Sequence, residues 1–167
     1  MSFKKNLVAF FTIGLLGVLG HFVYKWTGEN RFIGLFFPVN ESIWEHLKLI
    51  FYPALIYFGA EYLLKSQKEE NFIPATMNAI YCGMLTVVTL FYVLGGVIGE
   101  NLEFLNILIY FIAIITVLIK RNKIINNGKT YSKTTTLILL FFTALTVILF
   151  AVWSYIPPSL GIFQPPV

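Results

Sequence analysis

Five apolar runs, each close to the 20 or so residues that a helix needs to cross roughly 30 Å of hydrocarbon, follow one another along this chain with only short polar segments between them. The runs predict spans at 6–26, 41–64, 73–98, 104–120 and 135–155. The expected fold class is therefore an all-α membrane protein, a single integral membrane domain over residues 1–167 built as a bundle of five transmembrane helices. Composition points the same way, with 57% hydrophobic and 12% charged residues against about 25% charged in soluble domains. The net charge of +4 does not indicate a nucleic-acid partner, because the basic residues sit in short loops beside apolar runs, the pattern that orients membrane proteins. The expected partner is the lipid bilayer. The single Cys82 lies within an apolar run, which excludes a disulfide framework and a cysteine metal cluster.

The first run begins after Lys4 and Lys5 and is too long for a secretory signal, with no Ala-x-Ala-type cleavage site. It ends at Tyr24 and Trp26, rings suited to the membrane interface. Residues 27–40 are polar at Glu29, Asn30 and Arg31 but apolar from Phe32 to Phe37, which predicts an interfacial or re-entrant segment between helices 1 and 2. Pro38 disfavours helix at Phe37, and Ser42-x-x-Glu45 matches a capping box that opens the second helix. Pro53 removes one backbone donor inside that helix. Residues 65–71 read as a solvated turn, and Pro74 suits the first turn of the third helix. Gly95 and Gly99 have the small-x-x-x-small spacing that lets another helix approach, making a homo-oligomer through this face an expectation. The fourth span closes on Lys120, Arg121, Asn122 and Lys123. A basic loop with Gly128, Lys129 and Lys133 precedes the fifth span, and the tail from Ile156 to Val167 is too rich in Pro to be helical throughout.

With Met1 inside, the inner segments hold Lys4, Lys5, Lys65, Lys68, Lys120, Arg121, Lys123, Lys129 and Lys133, and the outer ones only Lys25, Arg31 and Lys48. This bias predicts a multi-pass protein of the cell membrane with a cytoplasmic N-terminus and an external C-terminus. Trp26, Trp44 and Trp153 all fall at the outer interface in the same arrangement.

Rare residue types crowd into Phe37-Pro38-Val39-Asn40-Glu41-Ser42-Ile43-Trp44-Glu45-His46-Leu47. On a helix starting there, Glu41, Glu45 and Lys48 share one stripe, and Ser42 and His46 the next. His21 lies about one turn inside the end of helix 1, where it can face His46. The candidate ligand-binding residues are His21, Glu29, Asn40, Glu41, Ser42, Trp44, Glu45 and His46. Two histidines and one or two glutamates make a set for a divalent metal such as zinc or iron, since three protein ligands with an open position is the catalytic zinc pattern, and the candidate ligands are His21, Glu41, Glu45 and His46. The competing reading is a salt-bridged helix start in which Glu45 pairs with Lys48. Farther along, Glu61 is expected to pair with Lys65.

The stretch Pro38-Val39-Asn40-Glu41-Ser42-Ile43-Trp44-Glu45-His46-Leu47-Lys48, with Glu29-Asn30 before it, resembles an uncharacterised family of small bacterial multi-pass membrane proteins classed as a domain of unknown function. The resemblance covers the whole chain and its motif maps onto Asn40, Glu41, Ser42, Trp44, Glu45 and His46. It implies a family but no activity. Ser42-Ile43-Trp44-Glu45-His46-Leu47 is also similar to the Asn-Ile-Trp-Thr-His-Leu stretch of the progestin and adiponectin receptor family, seven-helix zinc-dependent membrane hydrolases. The zinc ligands of that family have no counterparts in a chain with five spans, no Asp and no His-x-x-x-His. Three functions follow as expectations: a site for a small solute, proton or metal ion at the external face; a zinc-dependent membrane hydrolase with Glu41 or Glu45 as general base; and a structural or partner-binding membrane subunit.

Overall fold

The computed structural model describes residues 3–65, 70–127 and 130–166. Ser66 to Glu69, within the expected turn at 65–71, and Gly128 and Lys129, within the expected basic loop, lie outside the described residues. Among the described residues six α-helices run in the order α1 (Phe3–Trp26), α2 (Ile43–His46), α3 (Lys48–Leu64), α4 (Phe72–Ile98), α5 (Glu103–Asn126) and α6 (Lys133–Trp153), with 3-10 turns at Ile33–Leu35 and Gly161–Phe163. No strand occurs among the described residues. Leu47, between α2 and α3, is itself in right-handed helical conformation, so Ile43–Leu64 forms one run, and among the described residues five helices are long and apolar enough to cross a membrane.

Glycine shapes the packing of α1. Its buried face is Ala9, Ile13, Gly14, Gly17 and Gly20, and this face meets α3 and α5. A Cβ on Gly17 would lie 2.7 Å from the carbonyl oxygen of Leu49 and inside the hydroxyl of Tyr110. Leu49 is the residue whose carbonyl loses its helical donor to Pro53, so the absent side chain lets α1 close over the exposed peptide group. The Tyr110 hydroxyl donates to the carbonyl oxygens of Ile13 at 3.0 Å and Gly14 at 3.2 Å. Helix α4 packs most extensively against α5, and α6 packs on α4, where the Tyr81 and Thr146 hydroxyls are 2.9 Å apart.

The sequence puts the fourth span's end at 120, but α5 continues to Asn126. Lys120, Arg121, Asn122 and Lys123 are polar without being helix breakers, and Arg121 finds partners by staying helical. Its side chain is 1% exposed, donates to Glu61 at 3.0 Å and to Thr76 at 3.1 Å, and places its guanidinium 4.3 Å from the Phe58 ring centre and 4.5 Å from that of Phe72. Glu61 also pairs with Lys65 at 3.1 Å. This cluster joins α3, α4 and α5.

Candidate functional site

At the opposite end of the bundle the chain leaves α1 through a Schellman-type cap. The Glu29 amide bonds to the Tyr24 carbonyl at 3.0 Å and the Gly28 amide to that of Lys25 at 3.2 Å, while Gly28 and Glu29 take left-handed φ values of 66° and 58°. This reversal suits glycine and turns the chain back over the helix ends. The next helix starts at Ser42, whose hydroxyl accepts from the Glu45 amide at 3.4 Å. Only that half of the expected capping box forms. The Ser42 amide is taken by the Asn40 side chain at 2.9 Å, because the Glu45 carboxylate is engaged elsewhere.

Glu45 and Lys48 are each 1% exposed and pair at 2.8 Å. The Lys48 ammonium also donates to the Gly34 carbonyl at 2.7 Å, the Ser154 hydroxyl at 2.6 Å and, at 3.4 Å, the Phe37 carbonyl. The Glu45 carboxylate accepts from the Val39 amide at 2.9 Å and the Ser154 hydroxyl at 2.8 Å. A buried pair survives when its remaining donors and acceptors are all matched, and here the matching groups come from the 27–42 segment and the end of α6. Trp44 extends the same join, with its ring centre 4.9 Å from Phe150, 5.0 Å from Trp153 and 5.0 Å from Phe163 in the tail. Tyr155, just past α6, donates to the Arg31 carbonyl at 2.7 Å, and burial pushes its phenol pKa above the ordinary range.

A second, more open group lies beside this network. Glu41 Oε2 sits 3.7 Å from His21 Nε2 and 3.5 Å from His46 Nε2, and the two imidazole centres are 5.1 Å apart. His46 Nδ1 is 2.8 Å from the Ser42 carbonyl oxygen. A carbonyl only accepts, so Nδ1 carries a proton and Nε2 is the nitrogen that faces Glu41. His21 Nδ1 is buried with no hydrogen-bond partner among the described residues. Lys25 Nζ approaches the other oxygen of Glu41 at 3.8 Å. One ligand atom from each of His21, Glu41 and His46 lies within 4.8 Å of the others, an arrangement able to hold a metal ion.

The residues singled out by sequence thus divide into two sets. His21, Glu41 and His46 converge. Asn40, Ser42, Trp44 and Glu45 hold the helix start, the loop and the tail together, so the Glu45 carboxylate faces Lys48 rather than the histidines, and Glu29 stands apart in the exposed turn after α1. Ser154 and Lys25 completed these groups without a local sequence signal, a lone Ser after Trp153 and a Lys at a helix end being ordinary residues in both places.

The described residues form an all-helical bundle with five helices long and apolar enough to cross a membrane, and a buried ion-pair network and an open His–Glu–His group lie at one end of it. The family model described as "Family of unknown function (DUF6512)" matches residues 2–167, and the chain belongs to that family. No curated protein and no solved structure matches it.

Proposed function

We propose that this is a multi-pass protein of the cell membrane, with its N-terminus cytoplasmic, that binds a small cation at its external face through His21, Glu41 and His46. The observation that carries the reading is the position of Glu41 Oε2, which faces two imidazole nitrogens at 3.5 and 3.7 Å. Those separations exceed the roughly 2.7–3.2 Å of a nitrogen–oxygen hydrogen bond, so the three groups converge on a gap that a shared cation fills. The orientation rests on the excess of basic residues in the inner segments and on the tryptophans at the outer ends. Glu41 is 52% exposed at its side chain, which leaves the group in reach of solutes from that side.

The test is a thermal-unfolding screen of the purified protein against Zn2+, Co2+, Mn2+, Ca2+, Mg2+, Na+ and K+, run beside Glu41→Gln. At least one cation is expected to stabilise the parent, as any ligand of the native state does, and to leave the variant's midpoint where it was. A flat response of the parent to every cation refutes the reading. Labelling single-cysteine variants at the two termini with a membrane-impermeant reagent tests the orientation, and modification of the N-terminus from outside intact cells would overturn it.

A further inference from the structure

Resting on that cation-binding reading, we infer that the ion is a divalent transition metal, held by His21 Nε2, Glu41 Oε2 and His46 Nε2 with one coordination position left to solvent. The donor set separates the classes. Calcium takes six to eight oxygens and magnesium a near-octahedral oxygen shell, whereas this group supplies one carboxylate and two imidazoles, the ligands that suit zinc, copper, iron and nickel.

The spacing fits the same class. Metal–ligand bonds of about 2.0–2.2 Å in a tetrahedral zinc site place neighbouring ligand atoms about 3.3–3.5 Å apart, and Glu41 stands 3.5 and 3.7 Å from the two nitrogens. All three ligand atoms lie within 4.8 Å of one another, and rotations of the half-exposed carboxylate and of the two imidazoles close the difference. His46 is oriented as metal-bound histidines are, its far nitrogen donating to a backbone carbonyl, here that of Ser42 at 2.8 Å, so its ligating nitrogen is fixed before any metal arrives. His21 has no such support at Nδ1 and is the less firmly oriented ligand. Lys25, 3.8 Å from Glu41 and 73% exposed at its side chain, is an ammonium that partly neutralises the carboxylate and swings away when a metal takes over. It acts as a built-in competitor. The three protein ligands leave the fourth position facing solvent, which makes the ion exchangeable and able to take an external ligand.

The experiment titrates the purified protein with Zn2+, Co2+ and Ca2+ separately, by indicator competition and, for Co2+, by visible absorption. The expected result is one equivalent of Zn2+, bound at least about 100-fold more tightly than Ca2+, and an intense tetrahedral band with Co2+. Glu41→Gln and His46→Gln should each weaken Zn2+ by more than about 100-fold, since even outer-shell partners are worth 10–100-fold, while Lys25→Gln strengthens it. Unchanged melting midpoints of the metal-free variants establish that they fold. Zn2+ binding that survives Glu41→Gln and His46→Gln marks an adventitious surface site and overturns the assignment. If Ca2+ or Na+ binds through Glu41 and Zn2+ does not, the metal class is wrong while the cation-binding reading stands; if no cation binds, both fall.

Discussion

Replacing Lys48 by Met removes a charge from the point where four parts of the chain meet. The ammonium has three protons and uses them on Glu45, Gly34 and Ser154 at 2.6–2.8 Å, so the substitution strands a carboxylate that is 1% exposed and leaves a loop carbonyl without its donor. Truncating one partner of a buried pair costs about 3–5 kcal/mol. At about 2–4 °C per kcal/mol for a chain of this size, the melting midpoint should fall by roughly 6–20 °C, read by circular dichroism in detergent. Removing both charges in Lys48→Met with Glu45→Met should cost less than the two single changes added together, with a coupling of about 2 kcal/mol, because no uncompensated charge remains. The tether to Gly34 adds a second readout: trypsin should cut at the exposed Arg31 faster in Lys48→Met than in the parent. A midpoint within about 1 °C of the parent, with unchanged cleavage, would refute the view that this pair anchors the loop, since only solvent-exposed pairs are worth as little as 0–1 kcal/mol.

Four further outcomes follow from the packing. Gly17→Ala should destabilise by about 1–3 kcal/mol, since the added methyl meets the Leu49 carbonyl at 2.7 Å; a neutral effect in thermal unfolding would mean that α1 does not approach α3 so closely. Arg121→Met should cost about 3–5 kcal/mol by leaving Glu61 short of a buried partner, and Glu61→Gln should cost less, as Lys65 and Arg121 keep a hydrogen-bond acceptor; the two midpoints compared in one buffer decide this. Trp44→Ala should cost about 3–5 kcal/mol and free the tail, so carboxypeptidase digestion beyond Phe163 should accelerate. Gly95→Leu should leave stability within about 1 kcal/mol of the parent or raise it, because an added Cβ there meets nothing within 4 Å; if copies associate through Gly95 and Gly99, cross-linking in membranes should drop in the same variant.

The helices were readable because a membrane demands long apolar runs and the chain contains five of them, interrupted only by polar clusters. The C-terminal end of α5 was not, because Lys120 to Lys123 looks like a solvated loop until Glu61, far away in sequence, is known to stand opposite Arg121. The same holds at the opposite end of the bundle. That His21 and His46 can face each other follows from helix count and direction alone, whereas the fate of the two glutamates is settled by three-dimensional neighbours. Glu45 points into the bundle, where Lys48, Val39 and Ser154 surround it, and Glu41, one turn earlier, points to solvent and the histidines. The course of residues 27–42 depends on a lysine reaching back 14 positions to Gly34, and no local pattern encodes that reach.

The bond between Glu45 and Ser154 joins residues 109 positions apart, which gives the buried ion-pair network a place in time as well as in space. Glu45 and Lys48 can neutralise each other as soon as their own helix forms, one turn apart, so this part of the network needs no other element. The loop cannot be sealed until α6 has brought Ser154 and Trp153 to the same level. Without α6 in place the loop stays unlatched and the ion pair only half matched.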